Sequence, residues 1–276
     1  MRTQLRLLVP LFVAAAAVGV LPAHAITNPR PDNGEHPFVG LFVFDRGGQP
    51  WSFCSGSLIS ATVFLTAGHC TVGATGARVW FSENVEGNDH FPYGGPTAWE
   101  GTPYTIPGFC EVATVGGCGE PGRGLPDFIR RDVGVVVLDR PVPRTVVAEY
   151  AELPPPMSVD LLPNKTPIDL VGYGAQKRLC GGGPPVWDGF EVRNQADVQL
   201  IASRFEHSAE FLRVTANPGQ GKGGMCFGDS GGPNLSNGGR TVYGVNSYAI
   251  DSNCTGMTYS QRVDLPSVQT WINSFR

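Results

Sequence analysis

The fold and chemistry of this chain are decided by the stretch Gly224-Met225-Cys226-Phe227-Gly228-Asp229-Ser230-Gly231-Gly232-Pro233. Ser230 stands between an acid and two glycines, and Gly228 lies two residues before it. Because glycine accepts positive φ, the backbone N–H groups of Gly228 and Ser230 can point at one spot. Two such donors would stabilise a developing oxyanion, the electrostatic part of acyl-transfer catalysis. The alternative is an ordinary glycine-rich turn, and the rest of the chain has to decide between the two.

The composition is typical of a turn-rich β protein. The 276 residues include 37 glycines and 24 prolines, and only 16% are charged. This length suits one large all-β domain or two small ones. The net charge of −4 offers no basic surface, so we expect no nucleic-acid partner.

Residues 1–25 are predicted to be a secretory signal peptide. Two arginines form the positive end, Leu7 to Val20 is an apolar run, and Ala23-His24-Ala25 is a small-x-small cleavage site. A membrane anchor is the alternative, but the run is shorter than the roughly 20 residues that a span needs. We therefore expect a secreted, extracellular protein that begins at Ile26 and does not associate with a membrane.

Export from the cell permits disulfides, and the chain has seven cysteines. The odd number leaves at least one of them without an intrachain partner. No C-x-x-C pair occurs, so zinc spacing is absent and we expect neither a metal nor a cofactor. Cys110 and Cys118 lie eight residues apart in a long Gly- and Pro-rich tract, which suits a local disulfide.

The chain divides into two β-rich halves. A linker at 140–167 contains seven prolines, a composition typical of a boundary. About six strand candidates lie on each side of it, which predicts a first half at about 26–140 and a second at about 165–263. A C-terminal helix is predicted at about 265–275, with Asp264 as its cap and Pro266 in its first turn.

A serine nucleophile needs a base, and the base needs an acid that fixes its tautomer. Of the five histidines, His24 leaves with the signal peptide. His36, His90 and His207 lie in polar, loop-like segments and are expected at the surface. His69 differs, because it directly follows a predicted strand and stands between a glycine and a cysteine. It is therefore the candidate base.

Three blocks resemble the signature blocks of the chymotrypsin/trypsin-like serine proteases. They are Thr66–Cys70, Asp132–Leu138 and Gly228–Pro233, in the His, Asp, Ser order of that family. The resemblance covers nearly the whole mature chain. It implies an all-β fold of two six-stranded antiparallel β-barrels, with the active site between them and a C-terminal helix. It implies His69 as general base and acid, Asp132 as the residue that orients it, and Ser230 as nucleophile, with an oxyanion hole formed by the N–H groups of Gly228 and Ser230.

The resemblance also implies disulfides and a substrate pocket. The family pattern pairs Cys54 with Cys70 and Cys226 with Cys254, while Cys180 matches no pairing. Ser247 and Tyr248 resemble the family's pocket-lining Ser-Trp segment, with tyrosine in place of tryptophan. Gly224 stands where trypsin-like members carry an acid, and Met257 is aligned with the far wall. A neutral, narrowed pocket predicts cleavage after small or medium apolar residues.

The last implication is activation. In this family a freed N-terminal Ile or Val places its ammonium beside the acid that precedes the nucleophile, and here those residues are Ile26 and Asp229. Signal-peptide removal alone would then expose the activating terminus. The segment Asn28-Pro29 departs from the two glycines usual in the family, and proline stiffens it.

Together these features predict a monomeric secreted serine endopeptidase whose partner is a protein or peptide substrate. One alternative is an esterase that uses the same triad. Another is a catalytically silent member of the fold that only binds, and a third is a structural protein in which the cysteines are staples.

Overall fold

The computed structural model describes residues 26, 29–88, 90–111, 129–175, 177–179, 186–188, 190–201, 208–250 and 253–276, and strands dominate these ranges. The predicted signal peptide lies outside the described residues. None of the described helices is long and apolar enough to cross a membrane. In chain order the strands and helices are β1 (Arg30–Pro31), β2 (Val39–Arg46), β3 (Gln49–Leu58), β4 (Val63–Thr66), α1 (Gly68–Thr71), β5 (Gly76–Trp80), β6 (Trp99–Thr105), β7 (Cys110–Glu111), β8 (Ile129–Arg130), β9 (Gly134–Leu138), β10 (Pro167–Gly172), β11 (Lys177–Leu179), β12 (Val186–Asp188), β13 (Asn194–Gln199), β14 (Phe211–Ala216), β15 (Pro233–Ser236), β16 (Val242–Ala249), β17 (Gly256–Arg262) and α2 (Pro266–Asn273).

The first half of the chain forms a closed barrel of six antiparallel strands, in the order β2-β3-β4-β9-β6-β5. Its interior is filled by alternate side chains of each strand, because successive residues of a strand point to opposite faces. Phe64 is fully buried at the centre and packs edge-on against Phe42 and Phe81, with ring centroids 6.2 and 6.0 Å away. The interior of the barrel is therefore a packed hydrophobic core.

The second half forms a curled sheet in the order β1-β13-β10-β15-β16-β17-β14. A bridge between Leu200 and Val214 joins the end of β13 to β14, so the two sides of the sheet meet. This arrangement confirms the all-β, two-barrel architecture with a C-terminal helix. It has one strand more than the six predicted, because β1 adds to the outer edge of β13 by pairing Arg30 with Gln195 and Pro31 with Asn194.

Ile26 and β1 belong to the second barrel, although the sequence predicts a first half that begins at about residue 26. Ile26 is 1% exposed and lies in the same hydrophobic cluster as Leu170 and Met225. Burial of an isoleucine is worth about 1.5–3 kcal/mol, so this contact attaches the N-terminal segment to the second barrel.

His36 is buried rather than at the surface, which corrects the prediction for that histidine. Its Nδ1 lies 2.6 Å from Asp32 Oδ1, and Arg193 Nε donates to the other carboxylate oxygen over 2.8 Å. Arg193 also donates to the carbonyls of Val39 and Phe81, and so connects the two barrels. Burial by itself would raise the pKa of Asp32, but the hydrogen bond from His36 and the charge of Arg193 hold it below its usual value.

Helix α2 packs through Val268 and Ile272 against the large hydrophobic cluster that includes the core of the first barrel. Its N-cap is Leu265, and the prediction of Asp264 as a cap is wrong. The Asp264 carboxylate instead accepts hydrogen bonds from the buried Arg262 guanidinium and from the N–H of Val159. A buried guanidinium needs a counter-charge, and this need outweighs the capping of a short helix.

Candidate active site

His69 and Asp132 are brought together by the ends of two neighbouring strands of the first barrel. His69 lies in α1, just after β4, and Asp132 lies just before β9, which pairs with β4. The His69 Nδ1 is 2.9 Å from Asp132 Oδ2, and the backbone N–H of His69 donates to Oδ1 over 2.8 Å. The carboxylate therefore fixes both the backbone and the ring of the histidine.

Asp132 is fully buried, yet it keeps its charge. Burial alone would raise the pKa of Asp132, but the charge and hydrogen bond of His69 and a hydrogen bond from Ser247 hold it below its usual value. Ser247 Oγ donates to Oδ2 over 2.5 Å. Since an ionised carboxylate only accepts, the proton of a neutral His69 resides on Nδ1 and leaves Nε2 as an acceptor. This is the tautomer that a general base requires.

Ser230 reaches the same place from the second barrel. Its carbonyl accepts the N–H of Ser55 in β3 over 2.8 Å. The next residue, Gly231, lies so close to the segment before His69 that a Cβ there would be 2.7 Å from the nitrogen of Ala67. Gly231 also donates to the carbonyl of Asn246, the neighbour of Ser247, over 2.7 Å. The segments that carry the three predicted triad residues therefore contact one another, and His69 and Asp132 are directly hydrogen-bonded.

The orientations of the Gly228 and Ser230 N–H groups are fixed by the carbonyls that share their peptide planes. The Phe227 carbonyl accepts the N–H of Ala175 over 2.7 Å, and the Asp229 carbonyl accepts from Gly232 and Asn246 over 2.9 and 3.1 Å. In a trans peptide the N–H points away from the C=O, so each fixed carbonyl also fixes the direction of the next N–H. Within the described part of the chain, neither N–H has an acceptor of its own.

Gly228 can play this part because its φ is +95°, a conformation that other residues rarely adopt. Its own carbonyl is held by Ser55, whose Oγ donates to it over 2.9 Å and accepts the N–H of Tyr173 over 3.0 Å. Ser55 is fully buried. Ser55 and Asn246 were not found from the sequence, since their partners lie far along the chain and neither residue type is distinctive in its local segment.

Asp229 lies in a cage of backbone. Its Oδ1 accepts the N–H of Gly174 and its Oδ2 the N–H of Cys226, both over 2.8 Å. A Cβ on Gly174 would lie 2.6 Å from this carboxylate, so the close approach requires glycine there. Burial raises the pKa of Asp229 to about 7, although the two N–H donors favour the charged form. Among the described residues no cationic side chain pairs with it.

A pocket of about 360 Å³ opens beside Ser230. Ser247 and Tyr248 line it, as predicted, together with the disulfide between Cys226 and Cys254. The described lining carries no charged side chain. The rest of the lining is Met225, Phe227, Ala249 and Ile250.

Two residues predicted for this pocket do not line it. Gly224 is buried outside the described lining, and Met257 packs against the cluster of Ile129, Phe211 and Tyr259. Met257 lies in β17 and pairs with Thr215 of the neighbouring strand β14. The ring of Tyr259 stacks on that of Tyr248 at 4.7 Å, so the pocket wall is aromatic.

The cysteines agree with the predicted pattern as far as the described residues reach. Cys54 and Cys70 form a disulfide, as do Cys226 and Cys254, which confirms both pairings. Cys110 is also disulfide-bonded. Cys118 and Cys180 lie outside the described residues, so the pairing of Cys110 with Cys118 stays a prediction.

The sequence is similar to those of known proteins along most of its length. A family model described as Trypsin matches residues 26–272. The human chymotrypsin-like elastase family member 3B is 27% identical over 91% of this chain and 90% of its own length. Trypsin theta of Drosophila melanogaster is 27% identical over 96% of this chain and 95% of its own.

Solved structures share the fold. The HL collagenase structure superposes with a TM-score of 0.62 at 18% identity, over 87% of this chain and 93% of that chain. Human heparin binding protein superposes with a TM-score of 0.59 at 19% identity, over 89% and 94% of the two chains.

Proposed function

Since the chain belongs to the trypsin family, we propose that it is a secreted serine endopeptidase that hydrolyses peptide bonds through an acyl-enzyme on Ser230. The main support for the proposal is that two features occur together in the candidate active site. A buried, ionised Asp132 holds His69 as a base, and the N–H groups of Gly228 and Ser230 are fixed without an internal acceptor among the described residues.

The residues have the following roles in this mechanism. Ser230 Oγ attacks the scissile carbonyl while His69 Nε2 removes its proton. Asp132 stabilises the imidazolium that forms, and the N–H groups of Gly228 and Ser230 bind the oxyanion. His69 then returns the proton to the leaving amine, and a water molecule hydrolyses the acyl-enzyme by the same steps in reverse.

The substrate pocket supports a preference for small or medium apolar residues before the scissile bond. Its described lining is aliphatic, aromatic or disulfide, with Ser247 as the polar exception besides Ser230. An arginine or lysine side chain would have to give up its hydration there without a carboxylate to replace it, which is costly.

Activation is proposed to follow removal of residues 1–25. Ile26 already packs with Met225 and Leu170, close in sequence to the cage residues Cys226, Gly172 and Gly174. A free ammonium at Ile26 would supply the cation that the Asp229 carboxylate lacks among the described residues. The ion pair would then hold Asp229 in place. It would thereby also maintain the hydrogen bonds of the Asp229 carbonyl, which set the direction of the Ser230 N–H.

A catalytically silent binding protein has less support than an enzyme. A binding role gives no reason for two unsatisfied N–H groups to be fixed beside an oriented histidine. An esterase would use the same groups, because ester and amide hydrolysis pass through the same kind of oxyanion.

The test is cleavage of a peptide library by the mature protein and by its Ser230→Ala variant. We expect cleavage after apolar residues by the wild type and a loss on the order of a millionfold in the variant, with an unchanged circular dichroism spectrum. Hydrolysis of small esters without any peptide cleavage would favour the esterase. Undiminished peptide cleavage by folded Ser230→Ala would refute the proposal.

A further inference from the structure

A second cavity, of about 180 Å³, adjoins the candidate active site through Phe53. The Phe53 ring lies so close to Gly228 that a Cβ added to that glycine would be 2.5 Å from Cε2 of the ring. None of the described residues lines both this cavity and the pocket beside Ser230. The cavity is below the roughly 300–1,000 Å³ of small-molecule sites, so it suits a single side chain.

We call this cavity the aromatic groove. Its walls consist mainly of aromatic and proline rings and include one carboxylate. The residues that define the groove are Pro50, Trp51, Phe53, Phe91, Pro92 and Glu191. Trp51 is 65% exposed, and Phe91 is held in place by edge-on packing against buried Trp80 at 5.2 Å. A contiguous surface cluster of aromatic rings can mark a binding site.

Glu191 supplies the only charge in the described groove lining, and its carboxylate has no hydrogen-bond or ion-pair partner among the described residues. Its backbone has a φ of +77° and is pinned by its N–H to the Tyr173 carbonyl and by its carbonyl to the Val85 N–H. A non-glycine residue held in this conformation is costly and is often found at binding sites. Partial burial, and to a lesser degree the charge of Glu86, raises the pKa of Glu191, as expected for a carboxylate without a cation.

One ring of the groove, that of Trp51, already contacts a cation. The guanidinium of Arg46 lies over the Trp51 ring at 5.5 Å and over the Phe44 ring at 5.8 Å. No ion pair joins Arg46 to Glu191 in the part of the chain that the structure describes. The Glu191 carboxylate can therefore form an ion pair with a positive group of a bound molecule. The Trp51 and Phe91 rings can pack against the methylene stem of such a group.

We propose that the aromatic groove binds a lysine or arginine side chain on the leaving-group side of the scissile bond of a peptide substrate. This inference rests on the proposed endopeptidase function. The acyl-side residue enters the pocket beside Ser230, so the chain beyond the scissile bond passes the N–H of Gly228. There it meets Phe53, and Glu191 neutralises the positive charge that the substrate brings.

The test uses peptides with one apolar acyl-side sequence and with Lys, Arg, norleucine or Glu at each of the first three leaving-side positions. At one of these positions we expect Lys or Arg to raise kcat/KM about three- to tenfold over norleucine. Glu191→Gln should bring this ratio to about one, because it should lower kcat/KM for the Lys and Arg peptides more than for the norleucine peptide. Trp51→Ala should lower the same ratio through the other wall of the groove.

Glu149→Gln is the matched control, because Glu149 is an exposed acid that pairs with Arg240 away from the groove. It should keep the wild-type preference. The absence of any leaving-side preference for a basic residue, or its survival in Glu191→Gln, would overturn the inference. An acyl-side ester with no leaving-side residue separates the two proposals. If the ester and the peptides are all hydrolysed but without a basic preference among the peptides, only the groove proposal fails. Absence of cleavage of every peptide would refute the endopeptidase function as well, whether or not the ester is hydrolysed.

Discussion

The state of the chain's N-terminus should set how its stability depends on pH, through Asp229. Compare the protein that begins at Ile26 with a form that begins Met-Ala25-Ile26. In the extended form Asp229 has no ammonium partner, and burial raises its pKa from an ordinary 3.8 to about 7. In the form with a free Ile26, the ammonium should hold the carboxylate in its charged state.

The sign and size follow from linkage. Below pH 3.8 the carboxyl is protonated in both folded and unfolded chains, so it contributes no pH dependence. Between 3.8 and 7 only the unfolded chain ionises, so unfolding releases a proton and the free energy of unfolding falls as pH rises. The slope is about 1.4 kcal/mol per pH unit, which gives a loss of about 4 kcal/mol across the window in the extended form. Above pH 7 the curve is flat again.

The assay is urea unfolding of both forms at pH 4, 5, 6 and 7. Asp132 and Asp32 have pKa values held low in the folded state, so the stability they provide is lost as pH falls, equally in both forms. The difference between the two curves therefore isolates Asp229, and Asp229→Asn in the extended form should remove the downward slope. Parallel curves for the two forms would refute the role of Ile26 as the partner of Asp229.

Three further predictions concern the site. Ser55→Ala should lower kcat about tenfold with little change in KM, because it removes the hydrogen bond to the Gly228 carbonyl. Ser57→Ala should not lower kcat, because the buried Ser57 hydroxyl has no hydrogen-bond partner among the described residues. Equal effects of the two variants on kcat would contradict this prediction. In library cleavage, Ala, Val and Leu before the scissile bond should exceed Arg and Lys, and the reverse order would show that a charge outside the described pocket lining acts there. Peptide mapping without reduction should give Cys54–Cys70, Cys226–Cys254 and Cys110–Cys118 with Cys180 unpaired, and any disulfide that contains Cys180 would contradict the last part.

The parts of the fold that could be predicted were those encoded by local pattern. The strand of Asp132 to Leu138, the strand that ends before His69 and the glycine-rich segment around Ser230 are each readable within ten residues. The two confirmed disulfides followed from the family pattern alone. The contact of His69 with Asp132 was expected from the resemblance to the family.

The parts that could not be predicted depend on partners distant in the sequence. Ser55 bonds to Gly228 across 173 residues, and Gln261 accepts the N–H of Asp132 across 129. His36 was expected at the surface because its neighbours are polar, but Arg193 and Asp32 supply a buried charge network for it. Met257 was placed in the pocket by alignment, and the true register of β17 directs it to another cluster.

The central claim is that Ser230 is a nucleophile activated by His69. The most direct measurement is the site of covalent labelling by diisopropyl fluorophosphate, located by intact mass and peptide mapping of the mature protein. We expect one label per chain, on the peptide that contains Ser230, and a rate reduced by several orders of magnitude in His69→Ala. No label on the folded protein, a label on another residue, or equal labelling of His69→Ala would contradict the claim.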